Sequence, residues 1–163
     1  MGMENKAEPF VVRTNSSAET MKIAQRLAAI LEPGDWIGLT GDLGAGKTCF
    51  SKGLAKGLGV GDEVPVTSPT FTILQTYHGR LCLNHLDLYR LEDYSELVDI
   101  GYEELLGQDC VFLVEWCDKF SKAFGTDGIV IEFTLVDEEI RDLSVTSLGT
   151  RGVKLIEAMK HFI

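Results

Sequence analysis

The run Gly41-Asp42-Leu43-Gly44-Ala45-Gly46-Lys47-Thr48 constrains this chain more than any other stretch. It fits the pattern G-x-x-x-x-G-K-[ST] at every fixed position. Glycines let a backbone wrap tightly and turn successive N–H groups inward toward an anion. A helix opening directly behind such a loop adds unpaired N–H groups and the positive end of its dipole. The surrounding sequence supplies that context: Asp35 to Thr40 is an apolar strand pattern, and Lys47 to Leu58 follows with helical spacing. The pattern therefore predicts a cradle for the phosphates of a nucleotide. Lys47 would reach the β and γ phosphates, the Thr48 hydroxyl would ligate Mg²⁺, and Cys49 continues the first turn beside them. No N-K-x-D run occurs, so the nucleotide expected is ATP rather than GTP.

Around the cradle the chain reads as alternating strands and helices. Phe10 to Thr14 is a short strand, and Ser16 with Glu19 fits an S-x-x-E capping box. A helix runs from there to about Leu31, where Pro33-Gly34 stops it. Phe71 to Tyr77 and Leu81 to Tyr89 flank His78-Gly79 as a hairpin. Tyr94 to Leu106 is helical with a break near Gly101, and Cys110 to Val114 has the continuous apolar run of a strand buried on both faces. Ile129 to Val136 and Leu143 to Leu148 form a second hairpin, and Gly152 to Phe162 closes the chain as a helix. No repeat or Pro/Gly linker divides it, so one domain spanning 1–163 is expected. The fold class predicted is α/β: a P-loop NTPase-like mixed, mainly parallel sheet with helices on both faces and antiparallel hairpins.

Two acids are candidates to complete the site. Val111-Phe112-Leu113-Val114-Glu115 ends an apolar strand on a carboxylate, at the sheet edge where ligands of parallel sheets bind. Glu115 would hold Mg²⁺ or polarise the attacking water; the plainer reading is a solvated strand end. In His85-Leu86-Asp87-Leu88-Tyr89-Arg90, alternation puts His85, Asp87 and Tyr89 on one face. That polar face is either a solvated edge strand or a site bearing Asp87 as a second metal or water ligand. Trp116 either packs in the core or borders the nucleotide. Thr67-Ser68-Pro69-Thr70-Phe71 is a hydroxyl-rich loop, read either as a Ser-Pro turn or as a switch whose Ser68 or Thr70 reaches γ-phosphate or metal.

Taken together, the cradle at Gly41 to Thr48, the Ser68-Pro69-Thr70-Phe71 loop, His85-x-Asp87-x-Tyr89-Arg90 and Glu115-Trp116 resemble the bacterial TsaE (YjeE) family. The resemblance implies an ATPase acting in the synthesis of threonylcarbamoyladenosine on certain tRNAs. Its partners would be the TsaD and TsaB proteins, with ATP hydrolysis resetting their complex. It also implies phosphate binding by Lys47, Mg²⁺ at Thr48 and Glu115, support from Asp87, a switch at Ser68 to Phe71, and Trp116 close to the nucleotide. A small-molecule kinase could use the same cradle, but would usually carry a lid with phosphate-clamping arginines, and the hairpin region offers only Arg80 and Arg90.

Composition sets outer limits. The formal net charge is −10, which disfavours direct binding of nucleic acid, so tRNA is expected to be met only through the partner complex. No apolar run approaches the roughly 20 residues of a membrane span. Cys82, Cys110 and Cys49 read as buried thiols, no C-x-x-C pair suggests zinc, and no signal-peptide pattern is read, so a reducing cytoplasm is expected.

Overall fold

A strand apolar along its length needs neighbours on both sides, and Cys110–Glu115 has them. All six residues are buried, and the strand lies between two parallel partners that start at Trp36 and Cys82. In this computed structural model, which describes residues 8–106, 108–120, 123–124 and 127–163, seven strands form one sheet. They are β1 (Phe10–Thr14), β2 (Trp36–Gly41), β3 (Leu74–Tyr77), β4 (Cys82–Asp87), β5 (Cys110–Glu115), β6 (Gly128–Leu135) and β7 (Arg141–Leu148), in the order β1-β7-β6-β2-β5-β4-β3. The core strands β6, β2, β5 and β4 run parallel, while β1, β7 and β3 pair antiparallel on the flanks.

The helices are α1 (Ser17–Ala28), α2 (Lys47–Gly57), α3 (Tyr94–Asp99), α4 (Tyr102–Leu106) and α5 (Gly149–Met159), with a 3-10 turn at Cys117–Phe120. One face of the sheet packs Leu27, Phe50, Leu54 and Leu155 against Ile37, Leu39, Val111, Leu113 and Ile131. The other packs Leu97 and Tyr102 against Leu86, Phe112 and Val114. Helices therefore cover both faces, as the alternation of strands and helices predicted. Arg151 at the start of α5 forks onto the buried Asp35 carboxylate at 2.8 and 2.7 Å, tying that helix to the entry of β2.

Local chemistry explains most element ends. Ser16 caps α1 by accepting from the Glu19 N–H at 3.1 Å. The return arm differs from a capping box, because the Glu19 carboxylate accepts from the Asn15 N–H rather than from Ser16. Gly101 adopts φ 75, which separates α3 from α4 at the break the sequence indicated.

Three readings are corrected. The first hairpin begins at Leu74, not Phe71, because Ile73 turns back to donate to the Pro69 carbonyl at 2.6 Å with φ 68. β4 ends at Asp87 and lies between β3 and β5, so it is no edge strand, and Tyr89 falls beyond it. Cys82 and Cys110 face each other in register on β4 and β5, Cα atoms 4.6 Å apart, and are joined as a disulfide; Cys49 is only half-buried.

The cradle helix is seated by two glycines. Gly53 and Gly57 lie on the side of α2 that meets α1, and a methyl group at Gly53 would stand 2.5 Å from the Met21 carbonyl oxygen and 2.9 Å from Ala24 Cβ. Alanine is the better helix former by about 1 kcal/mol. A backbone oxygen cannot rotate away, however, and forced overpacking costs about 1–3 kcal/mol or more. Gly53→Ala is therefore expected to lower the melting temperature by several degrees, despite its helix propensity. An unchanged or raised melting temperature would contradict this packing.

Candidate functional site

The cradle is built on backbone that side chains resist. Gly41, Gly44 and Gly46 have φ of 132, 79 and 109, in the left-handed region. A Cβ at Gly41 would meet the Phe133 carbonyl oxygen of β6 at 2.6 Å. Gly46 then starts α2 with no side-chain cap and no acid in the first turn. An uncapped helix start, wrapped by glycine, leaves N–H groups and dipole free for an anion.

Lys47 is buried and at present serves the loop itself. Its ammonium donates to the carbonyls of Gly41 at 2.5 Å and Asp42 at 2.9 Å, and lies 4.2 Å from the centre of the Trp116 ring. Burial lowers its pKa from the ordinary lysine value, opposed by the charges of Glu115 and Asp87. The cation is thus held over the cradle by carbonyls and a ring, from which a phosphate can draw it.

Across the crevice, β4 and β5 end side by side, with Asp87 opposite Glu115 in register. Both carboxylates are buried. The Ser68 hydroxyl lies 2.6 Å from Glu115 Oε2 and also contacts Asp87 Oδ2. Thr70 Oγ1 reaches the same Asp87 oxygen at 3.3 Å, and the Tyr89 N–H donates to Asp87 Oδ1 at 2.9 Å. Ser68 has one hydrogen for two acceptors. Ser68 can therefore donate to only one of them at a time, and two buried carboxylates this close repel each other, which a cation between them would resolve.

Glu115 carries a further set of contacts. Ser51 Oγ lies 3.3 Å from Oε1, and the His85 ring stands 3.5 Å from Oε2. Burial alone would raise the Glu115 pKa. The His85 ring and the Ser68 and Ser51 hydroxyls more than offset it, and the carboxyl lies below its ordinary value. The group is set to be charged.

These parts line one crevice of about 320 Å³, bounded by Leu43, Gly44, Gly46, Lys47 and Thr48 on the cradle side and by Ser68, Thr70, Asp87, Glu115 and Trp116 opposite. A second hollow of about 570 Å³ adjoins it through Leu43 and Trp116, on the β6 side of the loop, where Gly41, Asp42 and Ala45 also contribute. Trp116 holds φ 59, uncommon for a bulky residue, and its ring borders both hollows. Other expected members lie elsewhere. The Cys49 thiol points to α1 and donates to the Ser17 carbonyl at 3.2 Å. Thr67 lines a separate groove, Pro69 is buried, and Phe71 is 83 % exposed with the Arg90 guanidinium over its ring. Arg80 donates to the Ala28 carbonyl, so neither hairpin arginine lines the crevice.

Three residues went unassigned in the sequence reading. Ser51 stands one helical turn after Lys47, a spacing that would have placed it on the same face. His85 sits in a motif already noted. Arg141 comes from the far hairpin, where its Nε donates to the Ala45 carbonyl at 3.1 Å and braces the loop; no local pattern signals that contact. Among the described residues no group of three or more His, Cys, Asp or Glu side chains is assembled for a metal. Two carboxylates and the Thr48 hydroxyl instead suit Mg²⁺, which keeps waters and takes its remaining ligands from phosphate.

Residues 14–145 match the family described as threonylcarbamoyl adenosine biosynthesis protein TsaE. The chain belongs to the TsaE family. It is 41% identical over 150 residues to the tRNA threonylcarbamoyladenosine biosynthesis protein TsaE of Bacillus subtilis (strain 168), covering 91% of this chain and 92% of that protein. The protein of the same description from Treponema pallidum (strain Nichols) is 38% identical over 132 residues, 81% of this chain and 96% of that one. The crystal structure of YdiB from Bacillus subtilis superposes with a TM-score of 0.82 at 34% identity, covering 95% of this chain and 96% of that one. The fold and membership of the TsaE family that the sequence motifs implied are thereby borne out.

The acidic pair has a testable cost. Replacing one buried carboxylate by its amide removes like-charge repulsion while keeping shape and the Tyr89 contact. Asp87→Asn is expected to melt at or above the wild-type temperature without ligand, yet to lose most of the added stabilisation that Mg²⁺ gives a nucleotide complex. A lower melting temperature with an intact Mg²⁺ response would place Asp87 in the structural framework alone.

Proposed function

We propose that this protein binds ATP with Mg²⁺ between the glycine loop and the Asp87–Glu115 pair, and hydrolyses it in support of threonylcarbamoyladenosine synthesis on tRNA. The observation that carries the reading is the pairing of an uncapped, glycine-wrapped helix start with two buried acids sharing one hydroxyl donor. The names of the relatives support the pathway.

In this reading the loop N–H groups and Lys47 hold the phosphates. Thr48, Asp87 and Glu115 would hold Mg²⁺, which when bound neutralises charge on the phosphate oxygens. Glu115, buried and charged, also orients water toward the terminal phosphate. Ser68 and Thr70 form the switch, since a cation would compete with their hydroxyls for the Asp87 carboxylate and a phosphate would offer those hydroxyls another acceptor. Trp116 borders the nucleotide.

The partners in this proposal are TsaD and TsaB, whose complex ATP hydrolysis would reset. Large side chains exposed to solvent line the open crevice: Leu43 is 72% and Tyr89 42% exposed. An open site excludes water poorly, so hydrolysis by the protein alone should be slow and rise when a partner covers it. A net charge of −10 argues that tRNA is held by the complex rather than by this chain. Among the described residues no helix is long and apolar enough to cross a membrane, and a cytoplasmic location is part of the proposal.

Two measurements test it. MgATP should raise the melting temperature of the wild type and not of Lys47→Ala, because stabilisation follows RT ln(1 + [L]/Kd). Equal shifts would remove Lys47 from the phosphate site. Steady-state hydrolysis should rise at least about ten-fold when TsaD and TsaB are added, and not with tRNA alone. Hydrolysis that is fast alone and unchanged by the pair would keep the ATPase and remove the partner reading.

A further inference from the structure

His85 lies on β4 with no exposed surface, and neither ring nitrogen has a hydrogen-bond partner among the described residues. Leaving a buried polar group unpaired costs about 1–3 kcal/mol. An apolar residue at this position would avoid that cost, so the imidazole needs a reason to be there. Its Nε2 stands 3.5 Å from Glu115 Oε2.

Glu115 has few firm donors. The Ser51 hydroxyl hydrogen is also claimed by the Lys47 carbonyl at 2.9 Å, shorter than its 3.3 Å contact with Glu115. The Ser68 hydrogen is shared with Asp87 and sits on a loop. The His85 Nε2 faces no competing acceptor among the described residues and is mounted on β4, the last strand of the parallel core, held between β5 and β3. Carboxylate and imidazole ligands in metal sites are oriented by such second partners, whose loss typically costs 10–100-fold in affinity or activity.

We propose that His85 is a positioning residue for Glu115, its Nε2–H steadying Oε2 from within the sheet so that the carboxylate keeps facing the cradle when Ser68 turns away. A small rotation of the Glu115 side chain closes the 3.5 Å separation to a hydrogen bond once the Ser68 hydroxyl leaves the same oxygen. His85 touches neither nucleotide nor metal in this account. The inference rests on the proposed Mg²⁺–nucleotide site.

The test uses the whole chain and ADP as probe, with and without Mg²⁺. His85→Leu keeps bulk and removes the donor; His85→Gln keeps an N–H near the position of Nε2. In His85→Leu the Mg²⁺ concentration that half-saturates the stabilisation of the ADP complex should rise about ten-fold or more, while metal-free ADP binding stays within about two-fold of wild type. His85→Gln should recover to within about three-fold. A merely structural histidine would weaken ADP binding equally with and without Mg²⁺, and glutamine would rescue no better than leucine; either result overturns the proposal. Wild type and both variants responding alike to Mg²⁺ would remove His85 and keep the metal site. A wild type whose ADP complex gains nothing from Mg²⁺ would remove both.

Should the leucine variant not fold, ¹⁵N-histidine spectra of the wild type decide the matter. The chain has three histidines, and His78 and His161 are exposed, so the slowly exchanging ring is His85. Its proton should sit on Nε2 and its signal should move when Mg²⁺ joins the ADP complex. A proton on Nδ1, or a signal blind to Mg²⁺, would overturn the proposal.

Discussion

Two carboxylates that share one hydroxyl hydrogen set the character of this molecule. Asp87 and Glu115 end neighbouring parallel strands in register, both buried, with Ser68 between them. Folding brings like charges together only where other interactions compensate. Here the compensation is the packed parallel core behind them, the Lys47 cation across the crevice, and hydroxyls delivered by a loop. That arrangement explains why the crevice combines a cation held by carbonyls with a close pair of like-charged acids. Each half is complete only with something between them that is anionic toward Lys47 and cationic toward the acids.

A metal-bound polyphosphate has that polarity, and the geometry of α2 favours it independently. The helix starts without a cap because Gly46 has no side chain to offer, and the close seating of Gly53 and Gly57 on α1 leaves its axis little freedom. Arg141 braces the loop from β7 through the Ala45 carbonyl. The phosphate-binding end is rigid, whereas Ser68 and Thr70, facing it, sit on a connection between elements. Rigid cradle and adjustable loop together form the physical basis for a switch.

Much of this was legible in the sequence because the signals are local. The cradle, the strand before it, the helix behind it and the break at Gly101 depend on neighbours within a few residues. Glu115 was legible as the acid ending an apolar strand at the ligand-binding edge of a parallel sheet; the alternative of a solvated strand end fails because the carboxylate is buried. Contacts joining distant segments were not. The Cys82–Cys110 pair follows from the register of β4 on β5, which spacing alone does not fix. Arg141 reaches Ala45 only after β7 has paired with β6 and β6 with β2. The strand alternation that grouped Tyr89 with His85 and Asp87 failed because β4 ends at Asp87, where the Tyr89 N–H turns in to bond that carboxylate. The direction of the Cys49 thiol was not legible either: on a helix, the side chain after Thr48 faces another way, here toward α1.

The central claim concerns where a nucleotide and its metal sit, and a crystal structure with Mg²⁺ and a non-hydrolysable ATP analogue tests it most directly. The account requires the metal to lie among Thr48, Asp87 and Glu115. Lys47 should leave the Gly41 and Asp42 carbonyls for the terminal phosphates, and the Ser68 hydroxyl should leave at least one of the two acids. A nucleotide bound elsewhere, or bound in the cradle with Lys47 and Ser68 unmoved and no metal near Asp87 and Glu115, would contradict it.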